Sequence, residues 1–161
     1  MRVEIFDGDR EDLRPLFREA DDSDRQIDRY LSAGEILVAA DGGGIAGHLQ
    51  LVSAGEGAAE LKSLAVSESR RGEGVGRALV EAALQWCRDR GVRRLVVATA
   101  AADTGNLRFY QRQGFRMLRI ERDAFGPDTG YADGIIIDGI PLRDRVWLDQ
   151  DVRSSDPSPS Y

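Results

Sequence analysis

Val3 and Ile5 alternate with charged neighbours, the two-residue period of a strand, and after Asp9 the spacing of Leu13, Leu16 and Phe17 changes to that of one helix face. Asp9 is placed to accept the free N–H groups of that helix's first turn. Ser23 stands in the same relation to Ile27, Tyr30 and Leu31, whose stripe ends at Gly34. Two apolar runs, 35–40 and 45–53, flank Asp41-Gly42-Gly43-Gly44, which predicts a hairpin. Another strand is expected over 59–66. From Gly74 to about Arg90, Val75, Leu79, Ala83 and Cys87 recur every four residues, and Ala78, Ala82 and Trp86 widen the apolar stripe of a helix. Gly91 ends it. The run 94–99 reads as a strand buried on both faces and parallel to 59–66. A short helix capped by Asp103 or Thr104 reaches Gln113 and stops at Gly114, after which Phe115, Met117, Leu118 and Ile120 return to extended structure. Residues 123–142 read as a loop rich in Gly, Asp and Pro, and Val146-Trp147-Leu148 as the last strand.

This order predicts an α/β (α+β) fold: one domain over 1–150 with a single mixed sheet of about seven strands and helices on both faces. The tail 151–161 has the composition of disorder. A length of 161 residues fits one domain, and 42% apolar residues suffice for a core. The formal net charge of −6 disfavours nucleic-acid and anionic-membrane partners. Only Lys62 among the 22 basic residues is lysine, so lysine-based Schiff chemistry is removed from every other position and arginine supplies the fork-like donors. The single cysteine, Cys87, leaves no internal disulfide or Cys-rich metal site and suits a reducing compartment. With no apolar run long enough to span a bilayer, the expected location is cytoplasmic.

Chemistry concentrates after the 59–66 strand, where Arg70-Arg71-Gly72-Glu73-Gly74-Val75-Gly76-Arg77 opens the long helix. Glycine lets backbone N–H groups approach a ligand, and a helix start offers unpaired donors and partial positive charge to an anion. Phosphate is the expected guest, with arginines adding donors. The spacing lacks the Lys-Ser/Thr of a nucleotide P-loop, and Arg77 occupies the third glycine of a dinucleotide fingerprint.

Arg71-x-x-Gly74-x-Gly76 resembles the R/Q-x-x-G-x-G/A signature of the GNAT superfamily of acyl-CoA N-acyltransferases, and Asn106 to Phe115 resembles that family's downstream block. The strong resemblance covers roughly 59–118, and the element order agrees over the rest. It implies acetyl-CoA as co-substrate, with its pantetheine arm in the gap of a splayed strand pair. Leu64, Ala65 and Val66 would contact the thioester arm through main-chain groups. Arg71, Gly72, Gly74, Val75, Gly76 and Arg77 would hold the pyrophosphate, and Asn106 would contact the amide-bearing arm.

Acyl transfer to an amine needs an unprotonated nucleophile, a polarised carbonyl and a proton for the departing thiolate. Tyr110 occupies the family's usual general-acid position, and a phenol remains protonated at neutral pH. Glu60 matches the position of a base in some members, acting directly or through water; otherwise it is a same-face partner of Lys62. His48 reads as a structural histidine and Cys87 as a core thiol, and no metal is expected. Asp21, Asp22, Asp24, Asp123 and Asp128, in segments expected to wall the acceptor site, favour a small cationic amine such as a polyamine or amino sugar. A homodimer stays open. The competing reading is a non-catalytic acyl-CoA-binding or regulatory protein of the same fold, which would have no use for a proton donor at Tyr110.

Overall fold

The structure, a computed structural model, describes residues 1–153. Strand β1 (Arg2–Ile5) is followed by a 3-10 turn (Arg10–Leu13), helix α1 (Arg14–Ala20) and helix α2 (Asp24–Tyr30). Both expected caps form: Glu11 N donates to Asp9 Oδ1 at 3.0 Å, and Gln26 N to Ser23 Oγ at 3.2 Å. Asp9 opens the 3-10 turn rather than the α-helix. Pro15, which has no N–H, falls in the first turn of α1, where that donor has no helix partner to lose. Strands β2 (Glu35–Asp41), β3 (Gly44–Ser53) and β4 (Ala58–Val66) lead to helix α3 (Val75–Asp89) and strand β5 (Arg94–Ala100). Helix α4 (Thr104–Arg112), strand β6 (Arg116–Glu121), short strands β7 (Ile136–Ile137) and β8 (Ile140–Pro141), and β9 (Arg145–Asp151) complete the described chain. Seven of these strands form the expected mixed, open sheet, and β7 pairs with β8 as a separate ribbon.

Two compact units are distinguishable. The first comprises Met1–Ser53 and Glu60–Trp86, with strand order β1-β2-β3-β4. The β2–β3 hairpin closes with Asp41 opposite Gly44. Leu13, Phe17, Ile27, Tyr30, Leu31, Ile36 and Val38 form a buried cluster, so the helical stripes read from the sequence are the faces that α1 and α2 bury. Side-chain donors fix the end of α2: Arg10 bonds the carbonyls of Leu31, Ala33 and Gly34 at 3.1, 2.8 and 2.7 Å, and Gln50 Nε2 those of Tyr30 and Ala33 at 2.6 and 2.9 Å. Gly34 is obligatory there. Its φ is +59°, and a Cβ would lie 1.9 Å from Leu51 O.

His48 is wholly buried on β3. Its ring stacks on Phe17 at 4.2 Å, and Nε2 is 2.8 Å from Ser63 Oγ. Burial pushes its pKa down to about 3, because an imidazolium there would lose its hydration without gaining a counter-charge. This is the structural histidine expected.

The second unit comprises Ala54–Ala59 and the chain from Cys87 onward, with β9 between β5 and β6 and antiparallel to both. Cys87 is buried and its thiol pKa is raised to about 11 by burial. The expectation that the tail begins at 151 needs correcting. Asp151 pairs with Arg94 in the β5–β9 ladder, and Val152 is 1% exposed with its N–H on Arg93 O at 2.9 Å. The Ser, Pro and Asp content of 151–161 gives it the composition of a tail, whereas at its start the backbone pairing of β9 with β5 continues through Asp151. The remainder of the expected tail, 154–161, lies outside the described residues. Inside the expected 123–142 loop, the β7–β8 ribbon turns through Asp138 and Gly139, both at positive φ (49° and 82°), the geometry that Asp-Gly favours in a two-residue hairpin loop.

Candidate functional site

After Val66 ends β4, a 3-10 turn (Glu68–Arg70) precedes Arg71, and the backbone then enters left-handed conformations at Gly72 (φ +81°) and Gly74 (φ +83°). A Cβ at either position would meet no protein atom within 4 Å. Glycine is therefore required by conformation, and the space over the turn is open. Ala78 N donates to Gly74 O at 3.0 Å as the first bond of α3. The N–H groups of Val75, Gly76 and Arg77 consequently have no partner within the helix and form, with the helix dipole, a donor set for an anion.

Each of the three arginines around the turn pairs with a carboxylate. Arg70 is held by Asp41 at 2.6 Å and Glu73 at 3.0 Å, which keeps the Asp41 carboxyl well below the usual range, the Arg70 hydrogen bond being the main cause. Arg71 pairs with Glu19 and donates to Val66 O at 3.2 Å, tying the turn back to the end of β4. Arg77 pairs with Glu81 one helical turn on, at 2.9 Å. In a chain with 28 acidic and 22 basic residues an arginine readily meets a carboxylate, so sequence proximity to a phosphate turn does not by itself reserve a guanidinium for it. Backbone amides, rather than Arg70, supply the unengaged donors of this turn.

On β4, Ala65 is buried while Glu60, Leu64 and Val66 are half-buried, an alternation that puts 60, 62, 64 and 66 on the less covered face. Glu60 Oε2 lies 3.8 Å from Lys62 Nζ, the same-face pairing anticipated for these two residues. Gly47 of β3 admits a close approach to this strand: a Cβ there would sit 2.8 Å from Ala65 O and 3.2 Å from Val75 Cγ1. The segment that ends β4 and the helix that follows the turn thus rest on one glycine.

In the second unit, α4 begins with Asp103, whose Oδ1 accepts from Asn106 N at 3.0 Å. The Asn106 side chain donates to Thr99 Oγ1 at 3.4 Å. Tyr110 is buried edge-on between Phe109 and Phe115, with ring centroids 5.2 and 5.6 Å away. Burial, with a smaller contribution from the Asp103 charge, holds its phenol pKa well above the ordinary value. Several carboxylates counted toward a cationic acceptor are already engaged. Asp24 binds Arg18 at 2.9 Å, Asp123 binds Arg143 at 2.6 Å, and Asp21 accepts from Tyr30 Oη at 2.7 Å. Among the described residues, no three His, Cys, Asp or Glu side chains are grouped to hold a metal ion, and no helix is long and apolar enough to cross a membrane.

Residues 3–115 match the acetyltransferase (GNAT) family. The chain is 31% identical over 148 residues to an N-acetyltransferase of Bacillus subtilis, YvbK, covering 92% of this chain and 94% of that protein. A crystal structure of a Bacillus subtilis acetyltransferase in complex with CoA superimposes with a TM-score of 0.85 at 31% identity, over 93% of this chain and 97% of that one. A GNAT family acetyltransferase from Elizabethkingia anophelis with acetyl-CoA bound gives 0.85 at 27% identity, over the same shares.

Proposed function

The chain belongs to the acetyltransferase (GNAT) family and is an acetyl-CoA-dependent N-acetyltransferase; on that premise we propose that it acetylates a small primary amine by direct attack on the thioester. The observation carrying the cofactor side of this reading is the turn from Arg71 to Arg77. Two glycines at positive φ leave open space over the unpaired amides that begin α3, where a pyrophosphate would be bound. In the same reading the main chain of Leu64, Ala65 and Val66 runs along the pantetheine, and Asn106 contacts its amide-bearing arm.

The amine must shed a proton before it attacks, and Glu60 receives it directly or through water. The nitrogen then forms its bond to the acetyl carbon, the C–S bond breaks, and Tyr110 protonates the CoA thiolate, regaining through water the second proton that the nitrogen loses. Burial keeps this phenol protonated at any physiological pH, so the proton is in place, and makes it a weaker acid that gives the proton up only to a basic acceptor such as the departing thiolate. With Asp21, Asp24 and Asp123 engaged, the case for a cationic acceptor rests on the net charge of −6, which attracts such amines from a distance. A cytoplasmic location accords with the single buried thiol of Cys87.

Release of CoA thiol, followed with a chromogenic reagent over a panel of amines, tests the reaction. Diamines are expected to show the higher kcat/KM, with the advantage over carboxylate-bearing amines shrinking in salt. Tyr110→Phe keeps the ring and removes the donor, so kcat should fall by about 10²-fold with little change in CoA affinity. Near-normal turnover in that variant would remove Tyr110 from the mechanism, and CoA binding without turnover on any amine would favour the non-catalytic reading.

A further inference from the structure

Lys62 is the only lysine in the chain, and it stands on β4 two residues after Glu60 and two before Leu64, on the less covered face that they share. Its ammonium lies 3.8 Å from Glu60 Oε2 and 4.9 Å from the centroid of the Tyr30 ring, and 36% of its side chain is exposed. A charge-assisted hydrogen bond closes to roughly 2.7–2.9 Å. At 3.8 Å the amine is held nearby by the carboxylate's field and the ring face without being locked to either. Arginine would serve a plain surface ion pair as well, and it fills every other basic position except this one. What lysine alone brings is an amine that becomes a nucleophile when it gives up a proton, and the nearest acceptor for that proton is the proposed base.

We infer that Lys62 is a self-acetylation site. The inference rests on the proposed function, because it requires acetyl-CoA along Leu64–Val66 with its thioester within reach of the neighbouring strand position. Strand steps of about 6.6 Å separate same-face residues, a span that a lysine side chain covers. One ammonium proton passes to Glu60 and on to water. Nζ then forms its bond to the acetyl carbonyl carbon, the C–S bond breaks, and the CoA thiolate takes up a proton to balance the second one lost from nitrogen. The products are Nε-acetyl-lysine and free CoA. Acetylation removes a positive charge beside Glu60 and Tyr30, so it would lower the KM of cationic acceptors relative to neutral ones.

The test incubates the protein with acetyl-CoA, then combines intact-mass measurement with tryptic mapping. CoA affinity is measured by calorimetry on the same preparation. One acetyl group per chain is expected, and because trypsin does not cut at acetyl-lysine, residues 30–70 should be recovered as one peptide rather than as 30–62 and 63–70. Lys62→Arg should abolish the modification while retaining CoA binding, and Glu60→Gln should slow it by about 10²-fold. CoA binding with no acetylation, or with acetylation at the Met1 amine alone, overturns the inference and leaves the proposed function standing. No CoA binding at all overturns the proposed function itself. Acetylation at an equal rate in Glu60→Gln and in Gly74→Asp would mark uncatalysed transfer from solution and also overturn it.

Discussion

His48 offers a clean perturbation, because it is the sole histidine and histidine is the side chain whose ordinary pKa puts its charge change between pH 5 and 8. Folding lowers its pKa from 6.5 to about 3, so the unfolded chain binds the proton more tightly. Stability is therefore undiminished above 6.5 and falls as pH drops from 6.5 toward 3. The limiting slope is about 1.4 kcal/mol per pH unit. Between pH 7.5 and 5.0 the loss comes to about 2 kcal/mol, and at roughly 2–4 °C per kcal/mol for a chain of this size the Tm should drop by about 4–8 °C. The assay is thermal unfolding at several pH values in constant ionic strength, for the parent and for His48→Gln. The variant starts from a lower Tm, having lost the ring stacked on Phe17, and carboxylates that titrate near pH 5 act on both proteins alike. The pH-dependent difference between the two curves isolates His48. A parent curve parallel to that of His48→Gln from pH 7.5 to 5.0 would refute the burial argument, as would an imidazole NMR titration centred near 6.5.

Two further substitutions probe packing that supports the site and the chain end. Gly47→Ala puts a methyl 2.8 Å from Ala65 O and 3.3 Å from Leu79 Cδ1, an overpacking that costs roughly 1–3 kcal/mol and should also raise the KM for acetyl-CoA several-fold; an unchanged Tm would show that β3 and β4 accommodate it freely. Val152→Ala removes two buried methyl groups, worth roughly 1–3 kcal/mol in a denaturant titration, and a neutral result would mean that the chain after β9 does not contribute to the core.

Local signals made much of the fold legible in advance. The Asp41–Gly44 turn, the four-residue stripe of α3 and the caps at Ser23 and Asp103 all act through neighbouring residues, and each is where the sequence pattern puts it. The glycine turn was legible for the same reason, since positive φ at Gly72 and Gly74 is a backbone property. Partner choice across long separations was not. Arg71 finds Glu19 only once α1 lies beside the turn, and Arg94 finds Asp149 only once β9 pairs with β5; that same pairing, with Asp151 opposite Arg94 and the Val152 N–H on Arg93 O, carries ordered chain past the expected start of the tail. The β7–β8 ribbon was missed although Asp138-Gly139 carries a hairpin signal, because two-residue strands leave too short a pattern to read. Lys62 is legible in the sequence as the sole lysine and as a same-face partner of Glu60, whereas its place beside Tyr30 depends on the packing of α2 and cannot be counted from spacing.

Calorimetric titration of CoA into the parent, Gly74→Ala and Gly74→Asp bears most directly on the acetyl-CoA site, with circular dichroism confirming that each variant is folded. Alanine imposes only the strain of a side chain at φ +83°, about 1–2 kcal/mol against folding, whereas aspartate adds a negative charge over the amides of Val75, Gly76 and Arg77. The parent should bind, Gly74→Ala should lose little affinity, and Gly74→Asp should lose at least about tenfold, roughly 1.4 kcal/mol. Equal affinity in the parent and Gly74→Asp would contradict the assignment of the pyrophosphate to this turn.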